Sequence, residues 1–338
     1  RSTPSNSSAA SDVYKRQDMG IPLAASTQWD VVNEASGIFG PVYRELIREA
    51  AQGDVVHNDD TTMKILELMK QDQEQRKRGE PPGRRGMFTS GIVSVKEGRR
   101  IALFFTGREH AGENLAKVLA EREESLGPVI QMCDALARNV SGEFQSIVSG
   151  CMSHARRGYV KVVESFPQEC RFVLETLAVV FKNDAIASRE KMTAAERLEF
   201  HRRESLRPMA RLRLWAWKQL RERRVEPNSG LGQAIAYMRK HWRKLTRFLF
   251  VAGAPLHNNL CERVLKKAIL HRNNSLFYKT ENGARVGDLY MSLIASCQLA
   301  GANPVDYLTE LQRHEAQLRE NPGEWMPWNY RGTIERLC

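Results

Sequence analysis

Two spacings of apolar residues divide the chain. Between residues 54 and 150 they come in short runs, as in β-strands. Outside that stretch they recur every three or four residues, as in helices. Residues 19–53 read as helical through Val31, Ala35, Ile38 and Phe39, with Ser26-Thr27 as a cap. Pro41 opens a second helix that runs to Ala51 and stops at Gly53. Residues 54–62 predict a short buried strand running into acids, and the charged residues 71–85 a mobile loop. Residues 87–95 and 100–106 are β-rich runs joined by Lys96-Glu97-Gly98-Arg99, the signature of a hairpin. A helix with Asn114, Leu115, Val118 and Leu119 in phase follows, ending at Gly127-Pro128. Residues 129–134 predict a buried strand ending in an acid, residues 147–154 another short strand, and Ala155-Arg156-Arg157 the start of a helix reaching Phe166.

After residue 168 strand signals nearly vanish. Residues 168–250 read as Arg-rich helices and 259–273 as a further helix. Asn282-Gly283 reads as a turn, and 285–300 as a strongly apolar helix stopped by Gly301. Asn303-Pro304 caps a last helix through Tyr307, Leu308 and Leu311, and the tail after Asn321 reads as irregular. The first half thus runs strand, hairpin, helix, strand, strand, helix. That order fits a ribonuclease-H-like sheet, and periodicity alone also admits other α/β folds.

Composition narrows the function. The 338 residues suffice for one large core or two domains. A hydrophobic content of 42% with mean hydropathy −0.47 predicts a soluble globular chain. Lys plus Arg number 51 against 40 Asp plus Glu, a net charge of +11 that favours a polyanionic partner. Nine Lys/Arg face only Glu204 and Glu222 within residues 201–224, and five more fall in 238–247 with no acid. Trp215, Trp217 and Trp242 interleave with these cations. The rings are expected in the core and some of the cations against DNA. No run of 18 apolar residues exists, so no membrane span is predicted, and no signal peptide is visible. The six Cys form no C-x-x-C pair and read as reduced thiols of a cytoplasmic protein. Residues 1–17 are polar and low in complexity. Residues 11–17 resemble a translated sequencing-adapter remnant, so this segment is expected to be disordered and foreign to the fold, with the natural protein beginning further upstream.

Within the 259–273 helix, Leu260, Val264, Leu265, Ala268 and Ile269 share a face and Glu262 sits at its edge beside Arg263 and Lys266. Taken alone, Glu262 and Lys266 read as a surface pair worth about 0.3–0.5 kcal/mol.

Several blocks, in order, change that reading. They are Val56-His57-Asn58-Asp59-Asp60-Thr61, Ile130-Gln131-Met132-Cys133-Asp134, Gly150-Cys151-Met152-Ser153-His154-Ala155-Arg156-Arg157, Asn258-Asn259-Leu260-Cys261-Glu262-Arg263, His271-Arg272-Asn273-Asn274-Ser275-Leu276-Phe277 and Gly301-Ala302-Asn303-Pro304-Val305-Asp306-Tyr307-Leu308. From residue 19 to about 315 the chain resembles the insertion-sequence-66 transposases. The resemblance implies a DDE transposase: an α/β, ribonuclease-H-like mixed sheet flanked by helices and interrupted by an all-helical insertion. Its core would comprise residues 54–167 and 251–300, with a helical lead-in at 18–53, a basic helical insertion at 168–250, and a C-terminal helix and tail at 301–338. Asp59, Asp134 and Glu262 would form the catalytic, metal-binding triad, with Asp60 as an alternative to Asp59.

The resemblance further implies two Mg2+ ions, with Mn2+ able to substitute, because hard cations take oxygen ligands. DNA contacts would come from His154, Arg156, Arg157, Asn258, Asn259, Arg263, Lys266 and Arg272. The implied partners are transposon ends and target DNA, with homo-oligomers assembling on DNA in a bacterial, nucleoid-associated setting. Thr62 stands where the family usually has Pro, Met152 where it often has Trp, and His257 where it often has Asp. A catalytically inactive DNA-binding remnant and a hydrolytic nuclease on the same fold are the competing readings.

Overall fold

The computed structural model describes residues 24–81, 83–134, 136–140 and 144–337; the expectation for residues 1–17 lies outside them. Five strands form one sheet: β1 (Val55–Thr62), β2 (Phe88–Lys96), β3 (Arg99–Gly107), β4 (Ile130–Cys133) and β5 (Ile147–Gly150), in the order β3-β2-β1-β4-β5. β1, β2 and β3 are antiparallel neighbours, whereas β4 pairs parallel with both β1 and β5. This is the mixed ribonuclease-H-like sheet that the pattern and the resemblance led us to expect. Lys96 pairs with Arg99 across a two-residue turn in which Glu97 and Gly98 have φ of 49° and 82°. Turns with both central residues at positive φ match the right-handed twist of the strands. Every residue of β4 is buried, as for a strand covered on both faces.

Helices cover the sheet. α1 (Ala25–Ala51) is one helix, not two, and passes through Pro41. The carbonyl that Pro41 cannot bond belongs to Gly37, which is exposed and open to water, so the missing bond costs little. Ser26 and Thr27 do not cap it; the cap residue is Ala24. The predicted loop begins later than expected. α2 (Leu66–Lys77) occupies residues 66–77, since its Glu, Lys, Gln and Arg residues are good helix formers and the first breaker is Gly79. α3 (Ala111–Leu119) packs against β1 and β2.

Past β5 the chain turns helical sooner than expected. Gly150 ends the strand where Leu245 closes on it, and α4 (Met152–Val160) carries Ser153 and His154 on a helix. α4 stops at Val160, short of Phe166, and after a run of turns Pro167 opens α5 (Pro167–Arg189). α6 (Ala194–Glu204), α7 (Leu206–Arg221), α8 (Gly230–Lys240) and α9 (Trp242–Leu245) follow. Together with α4 they bury a second core around Tyr159, Leu177, Leu212, Ile235 and Phe248. No helix among the described residues is long and apolar enough to cross a membrane.

α10 (Asn259–Ser275) and α11 (Glu281–Ala300) return to the sheet, followed by α12 (Pro304–Arg313), α13 (Glu315–Glu320) and α14 (Tyr330–Leu337). Asn282-Gly283 is no turn. It is the first turn of α11, capped by the Thr280 hydroxyl accepting from the Gly283 N–H. Gly301, at φ 73°, ends α11 as predicted, and Asn303 caps α12. The tail is ordered, because Trp325, Met326 and Tyr330 enter the main core. Local turn residues could not signal this burial, which α1 and α12 supply from far along the chain.

α11 also seals the edge of the sheet. Ser296, Ser292 and Asp288 accept the backbone N–H groups of Ala102 (3.0 Å), Phe104 (2.9 Å) and Thr106 (2.6 Å) on β3. Four helical residues advance about 6 Å and two strand residues about 6.6–6.8 Å, so the two spacings stay in step.

Candidate active site

The parallel pairing of β1 and β4 puts His57 opposite Met132. Two residues further along each strand stand Asp59 and Asp134, so register alone sets two carboxylates side by side. The Asn139 side-chain amide joins them, donating to Asp134 Oδ1 at 2.7 Å and to Asp59 Oδ1 at 3.3 Å. Asn139 is fully buried. Its carbonyl accepts from Asn58 Nδ2 and Gln131 Nε2, each at 2.7 Å, and its Oδ1 has no partner among the described residues. Burial, then the charge of Asp134, with smaller pushes from Asp60 and Glu262, raise the Asp59 pKa to about 7. No cationic side chain among the described residues bonds either carboxylate. This pair of hard oxygen donors lacks positive charge and fits a divalent cation.

Asp60 points the other way, as alternation along a strand requires. Its carboxylate accepts from His110 Nδ1 (2.8 Å) and the Ala111 N–H (3.3 Å) at the start of α3. Of the adjacent acids, Asp59 is therefore the one that faces Asp134.

Glu262 lies in the first turn of α10. Asn258 fixes that end of the helix: its N–H donates to Cys151 Sγ (3.2 Å), its Nδ2 to the Asn58 carbonyl (3.1 Å), and its Oδ1 pairs with His57 Nδ1 (3.1 Å). The sequence reading of Asn258 as a DNA contact needs correction: the residue is 0% exposed and its amide is spent inside the fold. Gly91, paired in register with Asp59, lets α10 come close. A Cβ there would lie 2.8 Å from Leu265 Cγ, and the Cys261 thiol donates to the Gly91 carbonyl.

Glu262 turns its Oε1 to Arg157 at 2.5 Å, with His154 Nδ1 at 3.7 Å, rather than to Lys266. Burial, then Arg157, lowers the His154 pKa against the pull of Glu262 and Asp134, so its imidazole is neutral at pH 7. The ligand atoms of Cys151, His154 and Glu262 lie within 4.8 Å of one another. This trio suits a soft metal poorly. Cys151 Sγ already accepts from Asn258, and burial pushes its thiol pKa up, away from the thiolate that binds metals.

A cleft of about 620 Å³ runs between α4, α5 and α10, lined by Arg156, Arg157, Phe181, Asn259 and Glu262. Arg263 and Lys266 are exposed on α10. Arg272 instead clamps the far end of α10 to β1, donating to Thr61 Oγ1 (2.9 Å) and to the Thr62 carbonyl (2.6 Å). The structure thus joins Asp59 to Asp134, and Glu262 to Arg157 and His154, while Asn258 and Arg272 serve as internal ties. Sequence reasoning missed Asn139, which stands in no recognisable pattern. It also missed Gly91, although a glycine inside a strand is itself a signal of close approach.

The model of the family described as "Transposase IS66 family" matches residues 10–286. Three curated relatives, all from Sinorhizobium fredii (strain NBRC 101917 / NGR234), are similar. The uncharacterized protein y4qI is 27% identical over 58% of this chain and 36% of its own length. The uncharacterized protein y4jD is 29% identical over 54% of this chain and 35% of its own. The uncharacterized protein y4hP is 23% identical over 92% of this chain and 57% of its own. The chain therefore spans between about a third and somewhat over half of these relatives.

Proposed function

Because this chain belongs to the IS66 transposase family, we propose that it is a DNA transposase whose Asp59, Asp134 and Glu262 cleave transposon ends and transfer the 3′-hydroxyl to target DNA. The observation that carries this reading is the adjacency of Asp59 and Asp134 at the ends of parallel strands, bridged by one buried amide. With Glu262, these carboxylates would hold the two Mg2+ ions that the family's chemistry calls for. Bound divalent cations lower the barrier to phosphodiester attack by polarising the phosphate and activating water or a 3′-hydroxyl.

The chain's own residues supply the rest. Asn139 keeps two like charges adjacent until cations arrive. Arg156, Arg157, Arg263 and Lys266 neutralise backbone phosphates, giving salt-dependent affinity without sequence preference. His154, held neutral, adds a hydrogen-bonding group beside Glu262. The basic helices between residues 168 and 250 extend the DNA contact as an insertion within the core formed by 54–167 and 251–300.

Incubating the full chain with labelled element-end duplex, in Mg2+ or in EDTA, tests this. Mg2+-dependent joined products that vanish in Asp59→Asn, Asp134→Asn and Glu262→Gln are expected. Cleavage without joining would assign a hydrolytic nuclease instead. DNA binding with neither product, unchanged by Glu262→Gln, would mark a catalytically inactive remnant.

A further inference from the structure

α7 carries two apolar stripes. One, through Met209, Leu212 and Ala216, is buried in the helical core. The other, through Leu206, Leu214 and Trp217, faces outward, with Leu214 54% exposed and Trp217 36% exposed. Opposite stand Trp242 and Phe250, the latter 60% exposed, and the two walls enclose a groove of about 400 Å³. That is ligand-sized.

The segments that form the groove carry charge of one sign. α7 holds five Lys/Arg and no acid, and residues 230–250 hold another five and no acid. Arg213 lines the groove itself, and the Arg221 guanidinium stacks 4.4 Å over the Trp217 ring. The floor selects something flat and apolar and these cations something anionic. An unpaired nucleotide is both. Duplex DNA keeps its bases stacked inside and cannot fill the floor, and a second copy of a chain with net charge +11 would set cations against cations. The groove is also tied to the catalytic sheet. Arg247 Nε donates to the Val148 carbonyl at 3.3 Å, and Leu245 packs at Gly150. Both contacts lie on β5, beside the strand that leads to Asp134.

We propose that this groove binds unpaired nucleotides of the DNA substrate, with bases stacked against Trp217 and Phe250 and phosphates against Arg213, Arg221 and the neighbouring cations of these helices. The inference rests on the reading of the chain as a DNA-processing enzyme.

Fluorescence anisotropy of the full chain with 20-nucleotide oligo(dT) and with a 20-base-pair duplex, at one salt concentration, tests it. Trp217→Ala should weaken oligo(dT) binding about 5- to 100-fold, the range for losing one base–aromatic stack. Trp217→Phe should recover most of that loss, Phe250→Ala should act in the same direction, and duplex affinity should change less than about twofold. Equal losses on both probes, or no loss in either alanine variant, would overturn the proposal. So would a Trp217→Ala protein that changes oligomeric state while keeping its oligo(dT) affinity, since that result gives the groove to a second copy. Wild-type protein that binds duplex but not oligo(dT) would sink this inference alone. Binding to neither probe would sink the DNA reading itself.

Discussion

Arg157 and Glu262, 105 residues apart in sequence, meet at 2.5 Å across the cleft between α4 and α10. The guanidinium holds the carboxylate that the proposed mechanism needs for a cation. Arg157→Gln should therefore tighten Mn2+ binding to the DNA-free protein by about 2- to 5-fold, the scale of a half-exposed ion pair. The same change should weaken DNA binding, because a phosphate contact is lost. Titration calorimetry decides the first point; unchanged Mn2+ affinity would argue that Glu262 is no ligand.

Gly91 governs how closely α10 approaches the strand pair carrying Asp59. Gly91→Ala forces its methyl against Leu265. Overpacking of this kind costs about 1–3 kcal/mol, and here it also pushes the Glu262 helix off the sheet. Mg2+-dependent cleavage should fall more than about tenfold while DNA affinity holds. Full activity with a lower melting temperature would show that the spacing tolerates the shift.

The two neighbouring acids of β1 should separate by function. Asp60→Asn keeps the Asn139 bonds to Asp59 and Asp134 and only lifts a small repulsive push on Asp59, so cleavage should stay within about threefold of wild type. The lost charge-assisted bonds to His110 and α3 should cost about 1–2 kcal/mol in denaturant melts. Asn139→Ala removes the one donor that Asp59 and Asp134 share among the described residues. It should cost about 1–3 kcal/mol, and added Mg2+ should restore part of it, whereas Mg2+ should not rescue Asp60→Asn.

The buried Asp288 has its pKa raised to about 7 by burial, against two opposing hydrogen bonds from Thr106. Its folded pKa exceeds the ordinary value of 3.8, so the fold keeps a proton that the unfolded chain has released. The stability this gives is whole below pH 3.8 and lost as pH climbs through 7. Asp288→Asn removes the dependence. Its melting temperature minus that of wild type should therefore grow from pH 4 to about 7 and then level off, and the subtraction cancels His57, whose pKa burial lowers to about 4. A flat difference would mean that Asp288 is ionised in the fold throughout.

Much of the sheet was legible because strands that end in acids, and a hairpin with Gly at its turn, are local patterns. The adjacency of Asp59 and Asp134 was not local: it follows from the parallel register of β1 and β4, which no short stretch encodes. Asn258 was misjudged because a motif reveals that a residue matters without telling whether it meets a ligand or its own backbone. Pro41 and the tail misled in opposite directions. The helix crosses Pro41 because the deprived carbonyl is exposed, and the tail folds because Trp325 and Tyr330 find distant partners.

The family match ends at residue 286, but Asp288, Ser292 and Ser296 lie beyond it. A chain shortened to the matched region would leave the N–H groups of Ala102, Phe104 and Thr106 bare along β3. Bare edges recruit strands from other molecules. Such a cut would also strip Tyr307, Leu311, Trp325 and Tyr330 from the main core, so trimming to the family limit should yield inclusion bodies, and the segment after α11 has to be kept with the fold.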